Sequence, residues 1–73
     1  MKNVTITTPF IKLDAFLKFV MEAQTGGEAK IYIQNGMVKV NGEICTQRGR
    51  KLRSGDVVEV NGNTYAVCGE DEG

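Results

Sequence analysis

The sequence predicts a single α+β domain, and three patterns support that prediction. Two stretches in the first half place apolar residues three and four positions apart, as amphipathic helices do. The second half changes to an alternation of period two, which is typical of strands with one buried face. Two Asn-Gly pairs interrupt this alternation, and Asn-Gly is the preferred pair for tight hairpins. A chain of 73 residues holds one such domain at most.

A short strand followed by a helix is expected at the N-terminal end. Residues 4–6 alternate between apolar and polar, and Pro9 interrupts the chain after them. From Lys12 to Glu22 the apolar residues fall on one helical stripe, which consists of Leu13, Phe16, Leu17, Val20 and Met21. Phe19 lies off this stripe. It could stack on a nucleic-acid base, but packing against a second helix is the expectation.

A second helix is predicted over residues 26–35, because the sequence marks both of its ends. Thr25 and Glu28 have the spacing of a capping box, in which the hydroxyl accepts from the Glu28 amide and the carboxylate reaches back to the Thr25 amide. Ala29, Tyr32 and Ile33 form its core face, so Tyr32 is expected to be buried. Gly36 follows Asn35, where a left-handed residue commonly ends a helix.

Strands and hairpins are predicted for the rest of the chain. Val38, Val40 and Ile44 alternate with charged residues around Asn41-Gly42. Residues 46–55 read as a basic loop that supplies mobile cations, with Leu52 as its one buried candidate. Residues 56–60 and 64–68 are expected to pair around the second Asn-Gly turn. The domain is therefore predicted to span residues 1–69, followed by a disordered acidic tail at 70–73.

The charge distribution leaves room for a polyanionic partner although the formal net charge is zero. Three of the nine acidic residues lie at 70–72, so residues 1–69 carry nine basic and six acidic side chains, a net charge of +3. Arg48, Arg50, Lys51 and Arg53 fall within six consecutive positions. Any basic surface is therefore local, and the neutral average hides it.

The sequence does not support an enzyme. The stretch TGGEAK at residues 25–30 lacks the spacing of a phosphate-binding loop, because Lys30 is followed by isoleucine. Without histidine, neither Cys45 nor Cys68 has the usual base of a nucleophilic site, and a zinc site is short of ligands. The two cysteines are expected to be half-buried thiols. We expect no catalysis, no cofactor, no metal and no small-molecule substrate.

The order of several short motifs resembles a known family. Lys12-Leu13-Asp14 precedes Leu17, then come Ala29 with Tyr32-Ile33, residues 36–42 reading GMVKVNG, and Gly55-Asp56 before a valine-rich strand. This order is similar to the RNA-binding domain first known from ribosomal protein S-four, the alpha-L motif. The match covers about residues 10–60 and is nearest to small free-standing bacterial members of YbcJ/YaaA type. The resemblance implies two antiparallel helices packed on a small, bent antiparallel sheet, and a non-catalytic role in binding structured RNA, ribosomal or transfer.

The resemblance also implies a binding surface. The Ser-Arg pair that is common in the family falls on Thr25-Gly26, so the expected contacts shift toward Lys30 and the loop at 48–53. Lysine and arginine neutralise phosphates, and the guanidinium adds bidentate geometry. The expected RNA-binding residues are Lys12, Thr25, Gly26, Lys30, Gln34, Arg48, Arg50, Lys51 and Arg53.

Two functions stay open at this stage. The first is a monomeric, cytoplasmic RNA-binding module without a membrane partner, which recognises the backbone and shape of folded RNA rather than a single-strand sequence. The second is a protein-interaction adaptor that keeps the fold but binds RNA weakly. The neutral net charge, the missing arginine at Gly26 and the acidic tail favour the adaptor.

Overall fold

The computed structural model describes residues 1–69, which form two helices, a five-stranded sheet and a two-stranded ribbon. The acidic tail expected at 70–73 lies outside these residues. The elements in chain order are β1 (Lys2–Ile6), β2 (Ile11–Lys12), α1 (Leu13–Phe19), α2 (Gly26–Gln34), β3 (Val38–Val40), β4 (Glu43–Ile44), β5 (Lys51–Leu52), β6 (Val57–Val60) and β7 (Asn63–Gly69). The predicted α+β class is confirmed.

The sheet has the strand order β1-β7-β6-β3-β4 and is antiparallel except at one edge. Its two tight hairpins turn at the predicted Asn-Gly pairs, where Asn41 and Asn61 have φ of 53° and 51°. β1, however, pairs with β7 in parallel, with Lys2 opposite Tyr65 and Ile6 opposite Gly69. The sheet is therefore mixed rather than wholly antiparallel. No short turn joins β1 to β7, so no hairpin forces these two strands to be antiparallel.

The ribbon pairs β2 with β5 and changes the expected picture of the basic loop. Ile11 lies opposite Leu52, and Lys12 lies opposite Lys51, in antiparallel register. Leu52 is fully buried, as predicted. The expectation that residues 46–55 form one mobile loop is wrong for the part that carries β5, because strand pairing and the burial of Leu52 hold that part of the backbone.

Helix α1 is shorter than the predicted span of 12–22, because a left-handed residue ends it early. Met21 has φ of 67°, and its amide bonds the carbonyl of Lys18 at 3.1 Å. The Glu22 amide bonds the carbonyl of Leu17 at 2.9 Å, which completes a Schellman motif. Met21 is 84% exposed. Its expected place on the buried stripe was therefore wrong, because the helix ends before this residue although the apolar spacing in the sequence continues to it.

Helix α2 begins and ends where predicted, to within one residue. The Thr25 hydroxyl accepts from the Glu28 amide at 3.0 Å, and Gly36 has φ of 73°. The second half of the expected capping box is wrong. The Glu28 carboxylate instead accepts from the Tyr32 hydroxyl at 3.3 Å, because these residues are one turn apart on the same face.

One hydrophobic core joins both helices to the sheet. Leu13, Phe16 and Leu17 from α1 are fully buried, as are Ala29 and Ile33 from α2. The Phe16 ring meets Tyr65 of β7 edge-on, with ring centroids 6.0 Å apart. These contacts fix α1 on the sheet and therefore fix the direction in which its first residue points.

Three apolar side chains do not pack as the sequence suggested. Phe19 is 57% exposed rather than packed against a second helix, because α1 ends at this residue. Phe19 lines a surface pocket together with Thr5 and Ile11. Tyr32 is half-buried rather than buried, since its hydroxyl extends to Glu28. Ile44 is also exposed, because the short strand β4 lies at the sheet edge.

Candidate functional site

Five of the nine predicted binding residues meet around the first turn of α1. They are Lys12, Arg48, Arg50, Lys51 and Arg53. The Leu13 amide donates to the carbonyl of Arg50 at 2.8 Å, and the Asp14 amide donates to the carbonyl of Arg48 at 3.1 Å. No side chain caps this helix, so the basic loop supplies acceptors that a capping residue usually provides. The loop backbone is thereby docked on α1.

The ribbon places several cations on one face. Lys12 and Lys51 are directly opposite each other, and both are exposed. Leu52 points into the core between Lys51 and Arg53, so the period of two puts these two cations on the opposite, solvent side. Like charges placed directly across a ribbon repel each other. This face is therefore electrostatically unfavourable until an anion approaches it.

Phe10 lies among these cations, although it was not among the binding residues predicted from the sequence. The Lys51 Nζ atom is 4.9 Å from the centroid of its ring, and the Arg53 Cζ atom is 5.9 Å from it. The ring is half-buried. Phe10 precedes Lys12 by two positions, so the sequence spacing alone places both residues on one face of a strand. That Phe10 faces Arg53 follows only from the register between β2 and β5.

The positive charge of these cations is not neutralised within the described chain. Among residues 1–69, no carboxylate oxygen lies within 4.0 Å of a charged nitrogen in this group. The two neighbouring acids have other partners. Asp14 accepts from the Ala15 amide at 2.7 Å, and Asp56 accepts from the Arg53 amide at 2.8 Å. Asp56 thus fixes the backbone of a cation without pairing with its guanidinium.

The Asn-Gly and Gly-Asp motifs, which lie far apart in sequence, are in contact. The Asn41 side-chain amide donates to Asp56 at 3.1 Å, and its oxygen accepts from the Val57 amide at 2.9 Å. Gly55 adopts φ of 98°, which leads the chain from the basic loop into β6. One polar cluster therefore holds the β3–β4 turn, the end of the basic loop and the start of β6 together.

The remaining four predicted residues lie on or before α2, which packs on α1. Thr25, Gly26, Lys30 and Gln34 are all exposed. A methyl group built on Gly26 would meet nothing within 4 Å, so the start of this helix is bare. The structure therefore divides the predicted surface into two parts, the cations around the start of α1 and a smaller polar stripe on α2.

Other kinds of site find little support within the described part of the chain. Residues 1–69 contain no group of three His, Cys, Asp or Glu side chains that could hold a metal ion. Cys45 is buried and Cys68 is half-buried, and both are free. No helix in this range is long and apolar enough to cross a membrane.

Comparison with known proteins identifies the family. The S4 domain model matches residues 4–68. The "Probable ribosome maturation protein RlbA" of Bacillus subtilis (strain 168) is 46% identical over 59 residues, which cover 81% of this chain and 83% of that protein. The "Putative RNA-binding protein YbcJ" of Escherichia coli (strain K12) is 34% identical over 59 residues, with 81% and 84% covered.

Two solved structures share the fold. The solution structure of YbcJ from E. coli, described as revealing an alpha-L motif involved in RNA-binding, aligns with a TM-score of 0.70 at 30% identity, covering 93% of this chain and 87% of that one. The 30S ribosomal protein S4e from Thermoplasma acidophilum aligns with a TM-score of 0.69 at 24% identity, covering 82% of this chain. This chain spans 32% of that protein's length, and the likeness concerns the fold alone. The chain belongs to the S4 domain family.

Proposed function

We propose that this protein is a non-catalytic RNA-binding domain that recognises folded RNA, with ribosomal RNA as the favoured class and transfer RNA as the alternative. The observation that carries the proposal is a group of five cationic residues that hydrogen bonds and strand pairing of their backbone bring together around the first turn of α1, without a carboxylate partner among residues 1–69. Phosphate groups are the ligands that such a group attracts most strongly. The printed names of the relatives RlbA and YbcJ support RNA and, for RlbA, ribosome maturation.

The shape of the surface favours folded RNA over a single strand. Proteins that bind single strands stack bases on exposed aromatic rings. Here Phe16 is fully buried, Tyr65 is 4% exposed, and the half-buried ring of Phe10 carries two cations. Phe19, at 57% exposed, is a single open ring near the end of α1 and does not form a platform on which successive bases stack. Backbone phosphates and their spacing are therefore the features that the domain reads.

Equilibrium binding to a folded ribosomal RNA fragment, measured over a range of salt concentrations, tests the proposal. About four to six phosphate contacts predict that log affinity falls against log salt with a slope of about −3 to −5. The double variant R50E/K51E should lose at least tenfold in affinity near 0.1 M salt, with a shallower slope.

A matched control separates this surface from net charge alone. The double variant K18E/K39E makes the same change in charge at exposed residues of α1 and β3 that belong neither to the ribbon nor to the basic loop. It should bind with less than about a threefold loss, because neither residue is among the expected phosphate contacts and salt at about 0.1 M weakens the remaining long-range effect of the charge change. Thermal unfolding of both variants shows that they are folded. Wild-type protein without RNA affinity even at low salt would favour the adaptor.

A further inference from the structure

The β2–β5 ribbon brings one aromatic ring and three cations onto a single face. Lys12 and Lys51 are opposite each other in the ladder. Continuing the same register by one step places Phe10 opposite Arg53, in agreement with the 5.9 Å between the Arg53 Cζ atom and the ring centroid. Residues two apart on a strand share a face, so Phe10 lies beside Lys12 and Lys51 lies beside Arg53.

Phe10 counteracts the repulsion within this face. A ring attracts a cation placed over it within about 6 Å of its centroid, because the ring quadrupole is negative on its face. Lys51 at 4.9 Å and Arg53 at 5.9 Å both meet that condition. Neither side chain forms an ion pair with a carboxylate among residues 1–69, whereas the Phe10 ring lies close to both.

We propose that Phe10 is a positioning residue of the RNA-binding surface, and that it holds Lys51 and Arg53 side by side next to Lys12 for contact with RNA phosphates. This inference rests on the proposed function. Long cationic side chains lose rotamer freedom when they bind a phosphate. Two cations that are already restrained over a ring lose less of it, so preorganisation strengthens binding without adding a contact.

The ring acts through its neighbours in this account, and the variant F10L tests that point. Leucine keeps an apolar side chain but removes the quadrupole, so RNA affinity should fall about threefold to tenfold. The salt slope should stay unchanged, because the same phosphates are contacted. The variants K51Q and R53Q should each reduce the slope by about one, because each removes a phosphate contact.

A double-mutant cycle distinguishes positioning from a direct contact between the ring and a base. In the background K51Q/R53Q, the further change F10L should alter RNA affinity less than about twofold, because the residues through which Phe10 acts are gone. A loss as large as that in the wild-type background would overturn the proposal and show that the ring itself meets RNA.

Two matched variants guard against a general structural effect. F19L makes the same change at an exposed phenylalanine near the end of α1 and should leave RNA affinity unchanged. F10Y keeps the ring and should bind like wild type. Proton chemical shifts of the Lys51 and Arg53 side chains in the free protein should move toward random-coil values in F10L but not in F10Y.

The outcomes separate this proposal from the broader one. If the wild-type protein binds folded RNA and F10L binds equally well, the role of Phe10 is refuted while the proposed function stands. If the wild-type protein does not bind RNA at low salt, the proposed function fails and the role in RNA binding fails with it. The chemical shifts then report only whether the ring restrains the two cations.

Discussion

Glu22 connects the end of α1 to the β6–β7 hairpin, and its substitution by glutamine tests how the helix is held on the sheet. One carboxylate oxygen accepts from the Asn61 side chain at 3.2 Å, and the other accepts from the Asn63 side chain at 2.8 Å and from the Tyr65 hydroxyl. Glutamine retains one acceptor oxygen but presents an NH₂ group where the second oxygen was. The side-chain NH₂ group of one asparagine then faces the NH₂ group of the glutamine, and that hydrogen bond is lost.

The expected cost of E22Q is about 1 kcal/mol at pH 7, which is below the roughly 1.5–3 kcal/mol typical of hydrogen bonds to a charged group, because glutamine keeps one acceptor and the site is partly open to solvent. For a domain of this size, that corresponds to a fall in Tm of about 4–8 °C. Thermal unfolding followed by circular dichroism measures it. The control E43Q changes an exposed carboxylate on β4 and should shift Tm by less than about 2 °C.

The same variant has a defined pH dependence. Burial is the largest single influence on the pKa of Glu22, and it raises that pKa. The hydrogen bonds from Tyr65, Asn61 and Asn63, together with the charge of Lys2, act in the opposite direction and outweigh burial. The pKa of Glu22 therefore lies below its ordinary value of 4.5. The stabilisation by ionised Glu22 is therefore complete above pH 4.5 and is lost as the pH falls through the lower, folded-state pKa. The Tm difference between wild type and E22Q should be constant from pH 7 to about 5.5 and should shrink below pH 4.5. A difference that persists or grows in acid would refute this reasoning.

Three further variants test local features by thermal or denaturant unfolding. M21G should raise the free energy of unfolding by about 0.5–1 kcal/mol, because glycine adopts a positive φ more readily than methionine does. A destabilised variant would show instead that packing of the Met21 side chain stabilises the fold. T25A should lower the free energy of unfolding by about 1 kcal/mol, because the helix cap is lost. T25S keeps a hydroxyl and should retain most of the wild-type stability. Equal stability of T25A and T25S would argue against the cap. The hydrogen bond to Glu22 and, after it, burial raise the pKa of Tyr65 to about 12. The wild-type protein should therefore lose stability between pH 10 and 12, where the tyrosine ionises in the unfolded state but not in the folded state. Y65F removes this ionisation, so its loss of stability at alkaline pH should be smaller. An unchanged alkaline profile in Y65F would contradict that assignment.

Features with local causes could be predicted from the sequence. Thr25 and Gly36 mark the ends of α2 because capping depends on residues within a few positions of each other. The two Asn-Gly turns formed as expected for the same reason. The end of α1 was harder to locate. Apolar periodicity continues to Met21, and only the left-handed backbone of that residue stops the helix.

Features that depend on long-range pairing could not be predicted in the same way. The parallel pairing of β1 with β7 joins the two ends of the described chain, and no local pattern specifies its direction. Phe10 was missed because its neighbours become visible only once residues 10–12 are paired with residues 51–53. The cations themselves were identified as a cluster, whereas their docking through the carbonyls of Arg48 and Arg50 required the structure.

Crosslinking in living cells, followed by identification of the attached molecules by sequencing and mass spectrometry, tests the central claim most directly. We expect RNA to be recovered with the protein, and nucleotide adducts to fall on peptides that contain residues 10–12 or 48–53. The variant R50E/K51E should recover much less RNA, while K18E/K39E should recover the wild-type amount. Recovery of proteins without RNA, or adducts that do not respond to R50E/K51E, would contradict the assignment of this surface to RNA.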